Sequence, residues 1–138
     1  MKSGTYRASD MTFAVGDIIL FKSEVAGKAK YHFCFYFDNT NDVYSLMFLN
    51  SEGIYADHFA VDCSRIPELP ASRSGSSVFS CPTVIRKKTD QLAKLEPEKK
   101  CTLPRGVAID FLSFAKTITS MTENDKARLI ATLEVLSN

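Results

Sequence analysis

The stretch Val15–Glu52 reads VGDIILFKSEVAGKAKYHFCFYFDNTNDVYSLMFLNSE and decides the fold. It contains three apolar runs, 17–22, 31–37 and 43–49. Short runs rich in β-branched and aromatic residues, bounded by turn formers, are typical of strands. Asp-Asn-Thr-Asn at 38–41 favours a tight turn, because these side chains bond to their own backbone. We therefore predict that the second and third runs form an antiparallel hairpin.

The second run is apolar on both of its faces. Side chains alternate along a strand, so the run divides into two sets. One set is Tyr31, Phe33, Phe35 and Phe37, and the other is His32, Cys34 and Tyr36. A strand that is apolar on both sides is usually central in its sheet. His32 and the pair Asn50-Ser51 are polar interruptions of the apolar runs, and they are the first candidates for a functional site.

The middle of the chain predicts fewer regular elements. Residues 52–77 are rich in Gly, Pro and Ser, which favours irregular structure with one short strand over 55–61. Residues 78–85 predict a further strand, and Pro82 moves it toward a sheet edge or into a bulge. A polar segment rich in Lys and Glu is expected over 87–101.

The end of the chain predicts helices. Apolar residues recur there at helical spacing. They are Val107, Phe111, Phe114, Ala115 and Ile118, then Leu129, Ile130, Leu133 and Leu136. Thr122 has the position of an N-cap for the last helix, with Asp125 at the capping-box position. Strands first and helices last indicate an α+β domain with a curled antiparallel sheet and C-terminal helices. We expect a loose N-terminal arm over 1–14 and a single domain over 15–138.

Composition restricts the classes of function. A chain of 138 residues fits one domain, and a net charge of +1 provides no global attraction to nucleic acid or an anionic membrane. The N-terminal residues lack a continuous apolar segment, and no apolar run approaches the length of a bilayer span. The four cysteines include no C-x-x-C pair. We expect a reduced, cytoplasmic protein without a membrane partner.

The order of these motifs resembles the MazF/PemK/Kid toxins, which are small SH3-like barrels. The matching segments are Gly16–Leu20 for the first strand, Lys30–Phe33 for the family's basic Arg-Pro entry, Leu49–Glu52 for its Thr-Ser pair, Ser77–Leu92 for the late strand and its exit, and Met121–Leu136 for the closing helix. The resemblance implies a curled antiparallel SH3-like/MazF-like β-barrel. It implies a metal-independent endoribonuclease of a toxin–antitoxin system, or a diverged RNA-binding relative, without a cofactor. It also implies a homodimer and an antitoxin-like protein partner.

The resemblance also indicates candidate site residues. Tyr31-His32 stands where the family has its Arg-Pro pair, so His32 is a candidate replacement for the lost arginine in proton transfer. RNA cleavage without metal also needs stabilisation of the phosphorane charge. Ser51 and Arg86 complete the predicted catalytic set, with Arg86 or Lys30 as the anion clamp.

The predicted RNA-binding residues are Lys28, Lys30, Tyr31, Lys87 and Lys88, which combine cations with an aromatic ring for base stacking. Two alternatives stay open. The first is that His32 is a structural strand histidine and that the basic residues are ordinary solvated positions. The second is that the barrel is a non-catalytic protein-interaction module that binds its partner near the 23–29 loop.

His58 is a second candidate, as a metal ligand. Asp57, Asp62 and Cys63 lie near it in the sequence, and these residue types bind zinc. The spacing matches no standard zinc site, which favours a plain loop histidine. We therefore expect no metal site.

Overall fold

The computed structural model of the chain describes residue 7 and residues 10–24, 27–50 and 57–138. Within these residues lie six strands, three α-helices and a short 3₁₀ turn. The strands are β1 (Asp17–Ser23), β2 (Lys28–Asp38), β3 (Val43–Asn50), β4 (His58–Asp62), β5 (Ser76–Lys88) and β6 (Glu98–Thr102). The helices are α1 (Thr89–Lys94), α2 (Arg105–Ala115) and α3 (Glu123–Leu136), and the 3₁₀ turn is Cys63–Arg65.

The strands form one antiparallel sheet in the order β4-β5-β3-β2-β1-β6, curled into a half-barrel. The predicted α+β class and the predicted β2–β3 hairpin are confirmed. The Asp38 carboxylate closes the hairpin by accepting the backbone N–H groups of Thr40 and Asn41, at 3.0 and 3.2 Å. β2 is central, as its two apolar faces predict.

The two faces of the sheet carry separate apolar cores. On the helix face, covered by α2 and α3, aromatic rings form the centre of the core, and Phe111 stacks on Phe59 with ring centroids 4.4 Å apart. On the opposite face, Phe13 and Leu92 of α1 pack with side chains of the first three strands, and Phe13 lies 5.1 Å from the ring of Tyr44. Burying each large apolar side chain stabilises the fold by about 1.5–3 kcal/mol.

A bulge in β2 changes the predicted alternation. The register of β2 with β3 shifts between Cys34 and Tyr36. Phe35 and Tyr36 both pack on the helix-face core, and Phe37 joins the core of the opposite face. The predicted faces are right for residues 31–35 and wrong for Tyr36 and Phe37, because the extra residue of a bulge reverses the alternation that follows it.

The strand predicted over 78–85 extends to Lys88, and the polar segment over 87–101 contains regular elements. Arg86, Lys87 and Lys88 are residues of β5 and pair with β3, α1 follows directly, and β6 pairs with β1 at the sheet edge. Short strands rich in Lys are common at edges, where one side faces water. Pro82 lies where the β5 register jumps from Phe79 to Val84 opposite β3, so the predicted bulge is confirmed.

The start of the last helix is confirmed in part. The Thr122 hydroxyl accepts the backbone N–H of Asp125 at 3.2 Å, as an N-cap does. The Asp125 carboxylate does not complete a capping box and binds Arg86 of β5 instead. Among the described helices, none is long and apolar enough to cross a membrane.

Candidate functional site

The start of β2 and the end of β3 lie side by side and bring two polar positions of the sequence together. The register pairs Tyr31 with Leu49. Lys30 Nζ donates to Asn50 Oδ1 at 2.5 Å, and Asn50 Nδ2 donates to Ser80 Oγ of β5 at 2.6 Å. Lys30, Asn50 and Ser80 are called the Lys30 cluster below. The hairpin register forms this cluster across three neighbouring strands.

Lys30 is a partly desolvated cation. Its side chain is half-buried, and Nζ lies 5.2 Å from the ring centre of Phe48. Burial lowers the pKa of Lys30, and the positive charge of the exposed Lys28 lowers it further. A bound anion would stabilise the charged form of Lys30, because its negative charge would replace the lost solvation and offset the repulsion from Lys28. The cluster is therefore suited to a phosphate or carboxylate ligand.

His32 lies beneath this cluster and has no access to solvent, with an exposed fraction of 0%. Its ring stacks on Phe21, with ring centroids 3.8 Å apart, and contacts Phe48 at 5.1 Å. Within the described part of the chain, neither ring nitrogen has a hydrogen-bond partner of acceptable geometry. Burial is the main reason that the pKa of His32 falls to about 4, and the backbone groups of Lys30 and Ile19 oppose this shift. At neutral pH the ring is uncharged.

Arg86 lies on the other side of the sheet. Its Nη2 donates to both carboxylate oxygens of Asp125 on α3, at 2.7 and 2.6 Å. The Asp125 side chain is 4% exposed. Arg86 pairs with Ser45, which pairs with Tyr36, four residues along β2 from His32. At about 3.3 Å per residue this is a separation of about 13 Å along the strand alone. The structure does not bring the predicted pair His32 and Arg86 together.

The other predicted residues lie in different surroundings. Lys87 forms an ion pair with Glu24, the residue after β1. Lys88 is exposed and directly precedes α1. Ser51 lies outside the described residues. Of the predicted set, Lys28 and Lys30 lie on the same face of the sheet as the Asn50 side chain, whereas Tyr31 packs against the helix-face core.

A cavity of about 190 Å³ lies at the end of β3, on the face of the sheet that α2 and α3 cover. Its lining includes Tyr31, Leu49, Asn50, Leu69, Ser76 and Ser77. Sequence reasoning assigned the 69–77 segment to irregular structure and did not predict its role in a site. The signal was the Ser-rich run over 72–77, which supplies hydroxyl groups to one end of the cavity.

Cys63 supports this Ser-rich wall. Its Sγ accepts the backbone N–H of Ser72 at 3.4 Å and the hydroxyl of Ser77 at 3.9 Å. The Ser72 hydroxyl is 3.4 Å from the same sulfur. These contacts lower the pKa of the Cys63 thiol, the Ser72 hydroxyl being the largest cause. All four cysteines are free thiols in the structure.

The residues considered for zinc do not assemble. His58 pairs with Ser80 across β4 and β5. The Asp57 carboxylate accepts the backbone N–H of Ser120 at 3.0 Å, and Asp62 accepts that of Ser64 at 2.9 Å. Within the described ranges, no three or more His, Cys, Asp or Glu side chains form a group that could hold a metal ion.

Comparisons of the chain with protein-family models, with curated proteins and with solved structures give no match. The resemblance to the MazF/PemK/Kid toxins, and the SH3-like form of the barrel, therefore stay predictions.

Proposed function

We propose that this protein is an RNA-binding relative of the MazF/PemK/Kid toxin-type endoribonucleases, on the SH3-like barrel of that family, and that it binds single-stranded RNA at the Lys30 cluster. One observation carries the proposal. Lys30, at the position matched to the family's basic entry, is a partly desolvated cation held by Asn50 at the matched end of β3.

The proposal uses ordinary phosphate chemistry. Ammonium groups bind phosphate oxygens by charge-assisted hydrogen bonds, and Lys28 adds a second cation on the same face of β2. The ring of Tyr31, the next residue along β2, packs on the helix face, so the proposed phosphate contacts on the opposite face come from Lys28 and Lys30. Net charge alone does not predict RNA binding, so the interaction depends on this local arrangement.

We assign His32 a structural role and not proton transfer. A general acid or base must reach the proton that it transfers, directly or through one water. His32 is fully buried between two aromatic rings, and its low pKa keeps it neutral at pH 7. If the protein cleaves RNA, the proposal places the hydroxyl of Ser51 and the charge of Lys30 at the reaction, without His32.

RNA binding is tested with fluorescein-labelled single-stranded RNA of mixed sequence, by anisotropy across a range of salt concentrations. We expect Lys30→Ala to weaken binding about tenfold and to reduce the salt slope by about one, as the loss of one phosphate contact does. Lys116→Ala, an exposed lysine at the end of α2, is the matched control. Equal affinities for the two variants would refute the assignment of the site.

Cleavage is tested in the same samples by gel electrophoresis. Products from the wild type that disappear with Ser51→Ala, and persist with His32→Leu, agree with the proposal. Loss of cleavage with His32→Leu in a variant that still folds and binds RNA would return His32 to a catalytic role.

The homodimer and the antitoxin-like partner also stay proposals from the resemblance. Among the described residues, the large apolar side chains most exposed to solvent are Val15, Ile109 and Val135, and Val135 of α3 is 71% exposed. Light scattering of the wild type and Val135→Asp measures the oligomeric state. A dimer that Val135→Asp dissociates would locate the interface on α3, and a monomeric wild type would contradict the predicted homodimer.

A further inference from the structure

The two edges of the sheet differ in their protection against pairing with a further strand. Strand β6 ends one edge and carries Lys99 and Lys100. Its pairing with β1 jumps from Cys101 to Lys99 between consecutive β1 residues, so it also contains a bulge. Lysines and bulges are two usual means by which an edge strand avoids adding a neighbour. Strand β4 ends the other edge, and its sequence HFAVD contains neither lysine nor proline.

Strand β4 is also regular, which a strand must be to accept a neighbour. Its five residues pair with residues 76–80 of β5 in unbroken register, whereas the β1–β6, β2–β3 and β3–β5 pairings each contain a shift. Within the described part of the chain, β5 is the strand that pairs with β4, and the outer edge of β4 ends the sheet. Alternate N–H and C=O groups along such an edge point away from the sheet.

The side chains of β4 divide between the two faces of the sheet. Phe59 and Val61 belong to the core of the helix face. Side chains alternate along a strand, so His58, Ala60 and Asp62 lie on the opposite face. Ala60 and Asp62 are exposed, and His58 is half-exposed. The small side chain of Ala60 at the centre of the strand leaves room for the side chains of a neighbouring strand.

The sequence of β4 is complementary to itself when a second copy runs antiparallel to it. With Ala60 opposite Ala60 of the second copy, His58 of each copy lies opposite Asp62 of the other. A histidine N–H donates to a carboxylate in either protonation state. Moving the pairing by two residues loses both contacts, and an unrelated strand gains the backbone bonds alone. The edge therefore fits a second copy of this chain best.

Asp62 is held in position for this contact. Its Oδ1 accepts the hydroxyl of Ser64 at 2.6 Å and the backbone N–H of the same residue at 2.9 Å. These two hydrogen bonds, the hydroxyl first, lower the pKa of Asp62, so its carboxylate is charged at neutral pH. Both bonds end on Oδ1, and they leave Oδ2 available to a donor from the second copy.

We propose that two copies of this chain join by pairing their β4 strands antiparallel about Ala60, so that the two sheets form one continuous sheet. Backbone hydrogen bonds provide the affinity, and the two contacts between His58 and Asp62 select the register. A junction of two five-residue strands is smaller than a standard interface of about 1,600 Å², so we expect dissociation in the micromolar range. The proposal gives the homodimer above an interface and does not depend on RNA binding.

The first arm of the test measures the oligomeric state by sedimentation velocity across a series of protein concentrations. Ala60→Lys places two like charges opposite each other at the centre of the junction, and we expect the dissociation constant to rise at least about tenfold. Ala71→Lys makes the same change at an exposed alanine outside β4 and should leave the constant unchanged. A wild type that stays monomeric at every concentration, or an equal effect of the two variants, would overturn the β4 interface.

The second arm mixes Ala60→Lys with Ala60→Glu. Each variant alone should associate weakly, whereas the mixture should form a heterodimer, because position 60 lies opposite itself in the proposed register. Restored association also shows that both variants fold. A mixture that associates no better than either variant alone would overturn the pairing about Ala60.

The same measurement separates this interface from the other proposals. A dimer that Val135→Asp dissociates and Ala60→Lys does not would overturn the β4 junction and assign the interface to α3. Sedimentation is measured without RNA, so a failure of RNA binding does not change its outcome. A monomeric wild type would likewise leave the proposed RNA binding in place.

Discussion

Arg86 and Lys30 are basic residues on opposite faces of one sheet, and their surroundings differ. On the helix face, Arg86 donates to both oxygens of a buried carboxylate, and Arg128 lies 3.7 Å from the same group. On the opposite face, Lys30 is bound by a neutral amide above the buried ring of His32. The first arrangement satisfies its charges within the protein, and the second leaves a cation for a ligand.

This difference shows why residue type alone does not identify a site. Both basic residues lie close to strand ends, and both were candidates for an anion clamp. The helix face supplies α3, whose Asp125 neutralises Arg86 and joins the helix to the sheet. A charge that already has a buried partner contributes to stability, whereas a desolvated charge without a carboxylate partner contributes to binding.

The largest expected effect is the pH dependence of stability caused by His32, which lies on the face opposite α2 and α3. His32 has a pKa of about 4 in the folded protein, against 6.5 for a free side chain. The unfolded chain therefore binds the proton first, and stability that is complete above pH 6.5 is lost as the pH falls toward 4. The loss from this group is about 3 kcal/mol. Urea unfolding at pH 4–7 measures it, with His32→Leu as the reference. Parallel curves for the two proteins would contradict the assignment.

The next effect concerns the helix face. Arg86→Ala leaves the buried carboxylate of Asp125 without its main partner, and we expect a loss of about 2 kcal/mol in the free energy of unfolding. Arg105→Ala removes an exposed arginine and should cost less than about 0.5 kcal/mol. Chemical unfolding and RNA anisotropy are measured on both variants. A larger loss of RNA affinity for Arg86→Ala than for Arg105→Ala would show that Arg86 contributes to RNA binding as well as to stability.

A smaller effect is expected at neutral pH for His32→Leu. Leucine fills the space between Phe21 and Phe48 without two unsatisfied nitrogen atoms, so we expect stabilisation by about 1 kcal/mol. His32→Asn keeps a polar group in the same place and should not stabilise. Thermal unfolding at pH 7.5 compares the three proteins. A His32→Leu variant less stable than the wild type would indicate a polar partner that the ring needs.

The smallest expected effect is a difference in alkylation rate between Cys63, in the loop beside the cavity, and the other three cysteines. Burial raises the pKa of Cys34 and Cys81 to about 12 and that of Cys101 to about 11, whereas contacts with Ser72 lower that of the half-buried Cys63. Because the thiolate is the reactive form, iodoacetamide should label Cys63 first in the native protein. Peptide mass spectrometry identifies the site, and Cys63→Ser should abolish the fast phase. Early labelling of any other cysteine would show that the cores open more readily than the loop.

Much of the fold could be predicted from local patterns. The turn at 38–41 and the apolar runs around it predict the hairpin, because Asp38 closes the turn with its own side chain. β6 and α1 could not be predicted in the same way. β6 is a Lys-rich edge strand that exists through its pairing with β1, and α1 is too short to carry a helical pattern.

The candidate site could be predicted only in part. The sequence indicated Lys28, Lys30 and Tyr31, and it marked Asn50 as a polar interruption. It did not indicate that the Ser-rich segment over 72–77 would form a cavity wall against Tyr31. That contact joins parts of the chain about forty residues apart and leaves no local pattern.

Local patterns of the sequence predict most of the strands, turns and helices, because alternation, turn chemistry and capping act between residues close together in the chain. The tertiary structure alone decided the roles of the basic and titratable residues. A bulge in β2, the packing of α3 and the register of three strands placed Arg86 against Asp125, His32 between two rings and Lys30 beside Asn50. These placements depend on long-range pairing, in which a shift of one residue moves a side chain to the other face of the sheet.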